Sequence, residues 1–578
     1  MIALPSLLLS LLAACPLPAL PAPLQVNVGP GQAGGSWIQV HMVQGPGGKV
    51  HFGEVLGAVG DLDGDGREEW IVGAGRNSPG GLKNGGSLFF FRGSDGSLLR
   101  EIDGAQVNER LGDFAIVRIG DVNGDSIPDS LVSGLGGPAQ AGAVWIFSGS
   151  DGTLLRRQDG QADNDLFGFG LDSIGDLDGD SVSDYAVAAT GADPLGMLDA
   201  GSVFLFSGVD AAPLGRIDGE APGEGIASVA GIGDYDADGK PDILLGVPGA
   251  SPGGKPGAGE ARVYSGATLA LLARFEGHAK DDAYGSRVGA AGDTNLDGIP
   301  DLLVGAPFED TARFQDNGVA YLLSGATGEV LHSAEGNQDL VFLGYYPLSG
   351  GRDIDGDGYP DALISSERTK VPGFGGHHVG SVLICSGKRG GLLRQLLGFQ
   401  RDNHWGKAMA LGDVDGDGLA DLGIGMYRYR APDGTSPGAA WVYAFHPHLT
   451  ADGETLSAAA GGTIHFSLDF PSEDGSLAYT FLGSISGTGP TSVGSVDVPL
   501  SDDKVFQLAL AGNLPGSLFS GATGTLDSAG KATVTLSAAP NTLPAKVIGR
   551  KSNWAALVWN PDSTAKRSSV AASVRFEP

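Results

Sequence analysis

The chain has 578 residues, 98 of them glycine and 18% charged, with a formal charge of -32. That length exceeds one ordinary domain, and glycine without a three-residue period points to many tight turns rather than collagen. The charge, with no compensating Lys/Arg run, excludes a nucleic-acid partner, because the phosphate backbone would be repelled.

Residues 1–22, MIALPSLLLSLLAACPLPALPA, carry a short apolar core at Leu7 to Ala14 followed by small residues. This reads as a secretory signal, since Pro16 and Pro18 interrupt a segment too short to span a bilayer. Leu12-Ala13-Ala14-Cys15 also fits the lipid-modification box of exported bacterial lipoproteins, in which Cys15 would carry the lipid anchor. Cleavage near Ala19 or Ala22, with release, is the alternative. Either way the chain is expected to be secreted or in the cell envelope, with no transmembrane span after processing. Cys385 is the other cysteine, so after processing no internal disulfide can form.

From residue 61 onward an acidic loop recurs seven times. Taking positions 1, 3, 5 and 9, the loops are Asp61, Asp63, Asp65, Glu69; Asp121, Asn123, Asp125, Asp129; and Asp176, Asp178, Asp180, Asp184. They continue as Asp234, Asp236, Asp238, Asp242; Asp293, Asn295, Asp297, Asp301; Asp353, Asp355, Asp357, Asp361; and Asp413, Asp415, Asp417, Asp421. First positions lie 60, 55, 58, 59, 60 and 60 residues apart, a regularity that unrelated turns would not produce. An apolar run such as Leu302-Leu-Val-Gly305-Ala306-Pro307 follows each loop. After a glycine-rich turn comes a second run such as Gly142-Ala-Val-Trp-Ile-Phe-Ser-Gly, and then a third such as Leu154-Leu-Arg-Arg. These are short aromatic and β-branched stretches punctuated by Gly, Ser and Asp, the signature of strands. About four strands fit each period, and seven such sheets arranged radially would bury one another's faces. The expected fold is therefore all-β, a seven-bladed β-propeller over residues 30–448, with a linear solenoid as the competing geometry.

Calcium takes six to eight oxygen ligands, and these loops offer carboxylate or amide oxygens at positions 1, 3, 5 and 9 and a backbone carbonyl at position 7. Gly66, Gly239, Gly298, Gly358 and Gly418 permit the turn at position 6, where Ser126 and Ser181 stand instead in the second and third loops. No Glu occupies position 12 and no helix pair flanks the loops, which separates them from an EF-hand. The four positions hold 26 of the 68 acidic residues, and seven Ca2+ ions would bring the charge from -32 to -18. The expected cofactor is thus Ca2+, up to seven ions.

Phe52-Gly53, Phe167-Gly168, Tyr284-Gly285 and Trp405-Gly406 precede their loops, and Gly305-Ala306-Pro307 follows one. With the acidic loops, these fragments resemble the FG-GAP repeat family, best known from integrin alpha subunits, over roughly residues 45 to 448. Leu111-Gly112, Glu224-Gly225 and Leu343-Gly344 stand at the divergent repeats. The resemblance implies a seven-bladed propeller with calcium loops between adjacent strands of a blade, and the calcium count exceeds the usual integrin pattern. The dense Ser-Gly-x-x-Gly turns and the carboxyl tail look more like bacterial exported proteins, planctomycete-like ones especially, than an animal receptor.

Ala440 to Phe445 is expected to close the last blade. Residues 455–578, with alternating runs at Thr463, Val505, Lys531 and Val570, read as a β-sandwich-like accessory domain. No nucleophile elbow, His-Glu-x-x-His site or P-loop is evident, so no catalytic residue is assigned. The pairs His377-His378 and His446-Pro-His448 read as ordinary turn histidines, and Tyr427-Arg428-Tyr429-Arg430 as a candidate recognition patch. The function expected is a non-catalytic, calcium-binding extracellular or cell-envelope interaction or adhesion module with a protein or polysaccharide partner. A secreted polysaccharide-acting enzyme with its active site on the propeller face and a structural envelope protein are the alternatives.

Overall fold

The computed structural model describes residues 25–28, 36–48, 50–137, 139–346, 348–370, 377–387, 391–401, 405–453, 455–471, 474–486, 491–494, 496–543, 547–569 and 571–578. The signal and lipid-anchor expectations at residues 1–22, Cys15 included, lie outside the described residues. Seven antiparallel sheets follow one another along the chain, each at its core four strands. The first comprises Val55–Gly60, Glu69–Gly73, Ser87–Phe91 and Leu98–Asp103. Its two middle strands are buried on both faces, because Trp70, Ile71, Leu88 and Phe90 leave no polar side to expose. The outer strand, LLREID, alternates exposed and half-buried residues and forms the solvent edge.

The sheets pack face to face in succession, and each gap is filled by apolar side chains from both neighbours. Ile71 and Phe90 of the first sheet meet Ile116, Val132 and Trp145 of the second. The same holds between last and first, where Leu411 and Val442 pack against Trp70 and Phe89. The innermost strand Lys407–Ala410 of the seventh sheet likewise contacts Val55–Gly60 of the first, giving a propeller-like arrangement of seven blades.

Glycines make the blade-to-blade seams possible. Gly86, Gly142 and Gly259 bridge to Leu111, Phe167 and Tyr284 of the following blade. Gly259 has φ +81°, and a Cβ there would stand 2.1 Å from the Tyr284 carbonyl oxygen. Gly438 repeats this between the seventh blade and the first, with φ +72° and a Cβ position 2.3 Å from the Phe52 carbonyl oxygen. In the fourth repeat the seam residue is Ile226, not Glu224: a Cβ on Gly201 would lie 2.5 Å from Ile226 N, and Ala227 N donates to Gly246 O as Gly285 N does to Gly305 O. The expected Glu224-Gly225 piece is thus displaced by two residues, because Glu224 instead accepts from Glu220 N and pairs with buried Arg262.

The last blade also differs from expectation. Ala439–His446 is its third strand, and the outer strand is the N-terminal Ser36–Gln44, paired antiparallel from Ser36↔His446 to Gln44↔Ala439. A ring assembled from linear repeats leaves two open edges, and joining the two ends in one sheet removes them. Gln25–Val28 adds a fifth strand to the sixth blade beside Gly391–Leu397.

After His448 the chain builds a second unit, in which a four-stranded and a six-stranded sheet share a core of Phe466, Leu536, Phe481, Trp554 and Val574. The run from Val505, expected as a strand, is the helix Lys504–Leu510. Asp503 caps it, accepting from Val505 N at 2.8 Å and Phe506 N at 2.9 Å, and Phe506 and Ala509 form its buried face. Phe506 and Ala509 lie three residues apart, which places them on one face of a helix but on opposite faces of a strand, and the Asp503 cap starts the helix.

If the first and last blades join as the others do, Gly438→Ala and Gly259→Ala should destabilise alike, by about 2–4 kcal/mol. Chemical denaturation of the two variants measures this; a silent Gly438→Ala would mean the ring is not sealed there.

Candidate metal centres

Each acidic loop joins the innermost strand of a blade to the second, so all seven lie on one rim. In five blades the residue before position 1 is a glycine bulge, Gly60, Gly120, Gly175, Gly233 and Gly292, with φ between +72° and +87°. The bulge ends strand pairing and turns the chain into the loop.

The position 1 aspartate organises the turn by accepting from backbone amides at positions 4 to 6. Asp353, for example, receives Gly356 N at 2.7 Å, Asp357 N at 3.1 Å and Gly358 N at 2.7 Å. Position 5 accepts from the amide at position 7, as Asp238 does from Lys240 N at 2.8 Å. Ser126 and Ser181 hold the same left-handed backbone as the glycines they replace, φ +71° and +73°, and keep the amide bond to position 1, with Ser126 N donating to Asp121 at 2.7 Å. The Ser-containing loops therefore retain the shape of the others.

Position 9 is the least exposed part of the loop. Glu69, Asp129, Asp184, Asp242, Asp301 and Asp361 are fully buried and Asp421 nearly so. One oxygen of each accepts from the backbone amide at position 2, from Leu62, Val122, Leu177, Tyr235, Thr294, Ile354 and Val414 in turn, at 2.6–2.9 Å. In six loops the other oxygen accepts from a glycine in the next hairpin turn, Gly93, Gly149, Gly208, Gly266, Gly325 or Gly387. A Cβ on Gly149 would lie 1.9 Å from Pro128 O, so the recurrent Ser-Gly turn needs glycine for this close approach. Burial pushes all seven carboxyls above their ordinary values, Asp421 to about 8 with Asp415 adding to the rise.

Ligand-capable atoms lie within 4.8 Å of one another in Asp61, Asp63 and Glu69, in Asp176, Asp178 and Asp184, and in Asp234, Asp236 and Asp242. The corresponding groups are Asp353, Asp355 and Asp357 in the sixth loop and Asp415, Asp417 and His446 in the seventh. These are clusters able to coordinate a metal ion, and oxygen is their donor in every loop but the seventh. In the second loop, Asn123 Nδ2 and Ser150 Oγ both donate to Asp125, at 3.0 and 2.7 Å, and hold its carboxyl below the usual range, Ser150 foremost. In the fifth, Asn295 accepts from Asp297 N at 2.9 Å as aspartates do elsewhere, while Asp293 accepts from Gly298 N at 2.8 Å. Asp65 and Asp180 bond to Arg67 N and Val182 N. Asp413 takes Gly416 N and Gly418 N at 2.6 and 2.8 Å.

His446 was read as a turn histidine, yet its Nε2 lies 3.0 Å from Asp415 Oδ2. That hydrogen bond keeps its imidazole above the ordinary value against the effect of burial. The 31-residue separation carries no sequence signal, because only strand pairing brings the two together. The Tyr427 to Arg430 patch divides: Tyr429 is buried against Trp441 at 5.5 Å, while Arg428 and Arg430 are exposed.

The fold and these loops define an all-β repeat protein whose repeats each carry an acidic turn. Residues 227–264 and 284–323 match the FG-GAP repeat. The chain is 27% identical to integrin alpha-5 of Xenopus laevis over 222 residues, 35% of this chain and 20% of that protein. It is 24% identical to a phosphatidylinositol-glycan-specific phospholipase D of Dictyostelium discoideum over 404 residues, 59% of this chain and 42% of that protein. Among solved structures the Dos1 propeller matches with a TM-score of 0.36 and 9% identity, covering 65% of this chain and 74% of that one. Two stretches of the chain thus match the FG-GAP repeat, and the chain is similar to integrin alpha subunits over part of its length. It aligns with less than half the length of either of these relatives. Both relatives are eukaryotic, so the similarity lends no support to the bacterial origin read from the turns. Among the described residues no helix is long and apolar enough to cross a membrane.

Two outcomes follow from the loop geometry. Carboxyls held above their unfolded-chain values bind more protons in the native state, so their contribution to stability is lost as pH rises, for Asp421 between its ordinary value of 3.8 and about 8. In chelator, the unfolding temperature should therefore drop between pH 5 and pH 8, the interval over which Asp421 loses its proton; a rise across that interval would contradict a carboxyl raised by burial. Ser126→Gly and Ser181→Gly should each raise stability by about 1 kcal/mol, measured by denaturant titration, because glycine adopts this backbone without strain.

Proposed function

We propose that this protein is a calcium-binding, non-catalytic interaction or adhesion module of the cell exterior or envelope. Its body would be a closed seven-bladed propeller over residues 30–448, and residues 455–578 an accessory β-sandwich. Residues 1–22 would direct export, with Cys15 as the candidate lipid anchor. The observation that carries the reading is the sevenfold recurrence of one oxygen-donor loop at the same strand connection, with buried position 9 carboxyls behind it. The first six loops offer only oxygen donors, which suits a hard ion, and a divalent cation would offset the mutual repulsion of carboxylates. In each loop positions 1, 3, 5 and 9 would be the ligands, Asn123 and Asn295 supplying amide oxygens. The ions would brace the rim while other surfaces meet the partner.

Calorimetric titration of the full chain should show five to seven calcium ions bound, with a large rise in unfolding temperature, since binding confined to the native state adds about 2.7 kcal/mol per site at 100-fold excess over Kd. Asp238→Asn should remove about one ion and leave the others. Absence of saturable binding, with unfolding unchanged by chelator, would defeat the metal reading.

A further inference from the structure

The face opposite the acidic loops has a different character. Where the innermost strands begin, around the propeller axis, aromatic rings alternate with cations. Phe169 stacks beneath Arg287 at 5.4 Å, and Tyr345 and Tyr346, adjacent rings 5.2 Å apart, lie within electrostatic reach of the same guanidinium. Lys407 follows, 5.8 Å from the Tyr346 ring and 5.5 Å from Tyr427. These groups come from the third, fifth, sixth and seventh blades, so only the circular packing assembles them. Tyr345 is 43% exposed and the others are half-buried, which leaves the assembly open to solvent.

Charge gives the assembly its direction. Lys407 is balanced by Glu54 at 3.4 Å and Glu367 at 3.8 Å. Arg287 donates to Ser286 O at 2.8 Å, and among the described residues no carboxylate pairs with it. A half-buried guanidinium lacking a counter-ion, in a chain of charge -32, is unfavourable unless an anion completes it. Burial accordingly pushes its pKa below the ordinary value. Flanking rings add apolar faces on which the flat side of a cyclic ligand can rest.

We infer that this axial mouth binds an acidic polysaccharide, with a sugar carboxylate on Arg287 and the sugar ring against Phe169 and Tyr345. The inference rests on the reading of the protein as an interaction module, and it is independent of the metal loops on the opposite rim. An oligopeptide carboxylate would satisfy the guanidinium but would leave the exposed Tyr345 ring without a flat partner.

The test is calorimetric titration of the full chain, in calcium, with a trimer of galacturonate, a neutral glucose trimer and a glutamate trimer. Saturable binding of the galacturonate trimer alone is expected. Arg287→Gln and Tyr345→Ser should each weaken it at least ~10-fold, the loss of a charged hydrogen bond or of a ring contact. Calcium stoichiometry and unfolding temperature should stay as in the parent chain, which verifies folding. No binding of the galacturonate trimer, equal binding of the glutamate trimer, or indifference to both variants would overturn the inference. Loss of calcium binding with galacturonate binding intact would instead count against the metal reading alone.

Discussion

Seven buried carboxyl groups, each accepting from the amide at position 2 of its own loop and six of them also from a glycine of the next hairpin turn, tie every acidic loop to the body of its blade. Position 9 is therefore a structural tie as well as a candidate ligand. Because its oxygens are fixed by backbone amides, the loop in front of it has one shape, and the half-buried or exposed oxygen-bearing side chains at positions 1, 3 and 5, with Asp355 alone buried, are gathered rather than free. Burying a carboxyl in this way is costly while it is charged, and protonation or a cation relieves that cost. The same contact explains the Ser-Gly turns, since a side chain there would collide with the acidic loop.

The ring has a second dependence, on glycine at the seams. Strands from neighbouring blades approach so closely at Gly142 and Gly259 that no side chain fits, and the aromatic or aliphatic residue of the next blade rests on that bare backbone. The Phe-Gly and Gly-rich pieces are thus complementary halves of one contact. Substituting Ile226 for an aromatic in the fourth repeat preserves it, which shows that bulk at the seam matters more than an aromatic ring.

The two rims differ because the repeat is asymmetric along its strands. One end of each innermost strand leads into the acidic turn, and the other begins beside the seam residue, where rings and cations collect. The propeller-like arrangement of the seven sheets turns this repeat-level polarity into two chemically distinct faces. Glu54 illustrates the second: burial alone would raise its pKa, yet His51 and Lys407 hold it down at about 2. Lys407 pairs with Glu367 of the sixth blade as well, so one cation links three successive blades at this rim.

Much of this was legible in the chain itself. Seven acidic loops at near-constant spacing, each followed by short β-branched and aromatic runs, determine the repeat, the strand count and the residues that crowd together, because these follow from local backbone and side-chain preference. Tertiary structure decided what depends on distant partners. The outer strand of the last blade comes from Ser36–Gln44, some 400 residues from its neighbour Ala439–His446, since pairing the two chain ends removes exposed edges. His446 joins the seventh loop, and Arg287 meets Phe169, only through such packing. The helix at Lys504–Leu510 depended on a cap that the alternating pattern concealed. The sequence by itself determined the repeating unit and its chemistry; the tertiary structure alone decided how the ends meet and which side chains share the axis, because those contacts join residues whose separation along the chain carries no local signal.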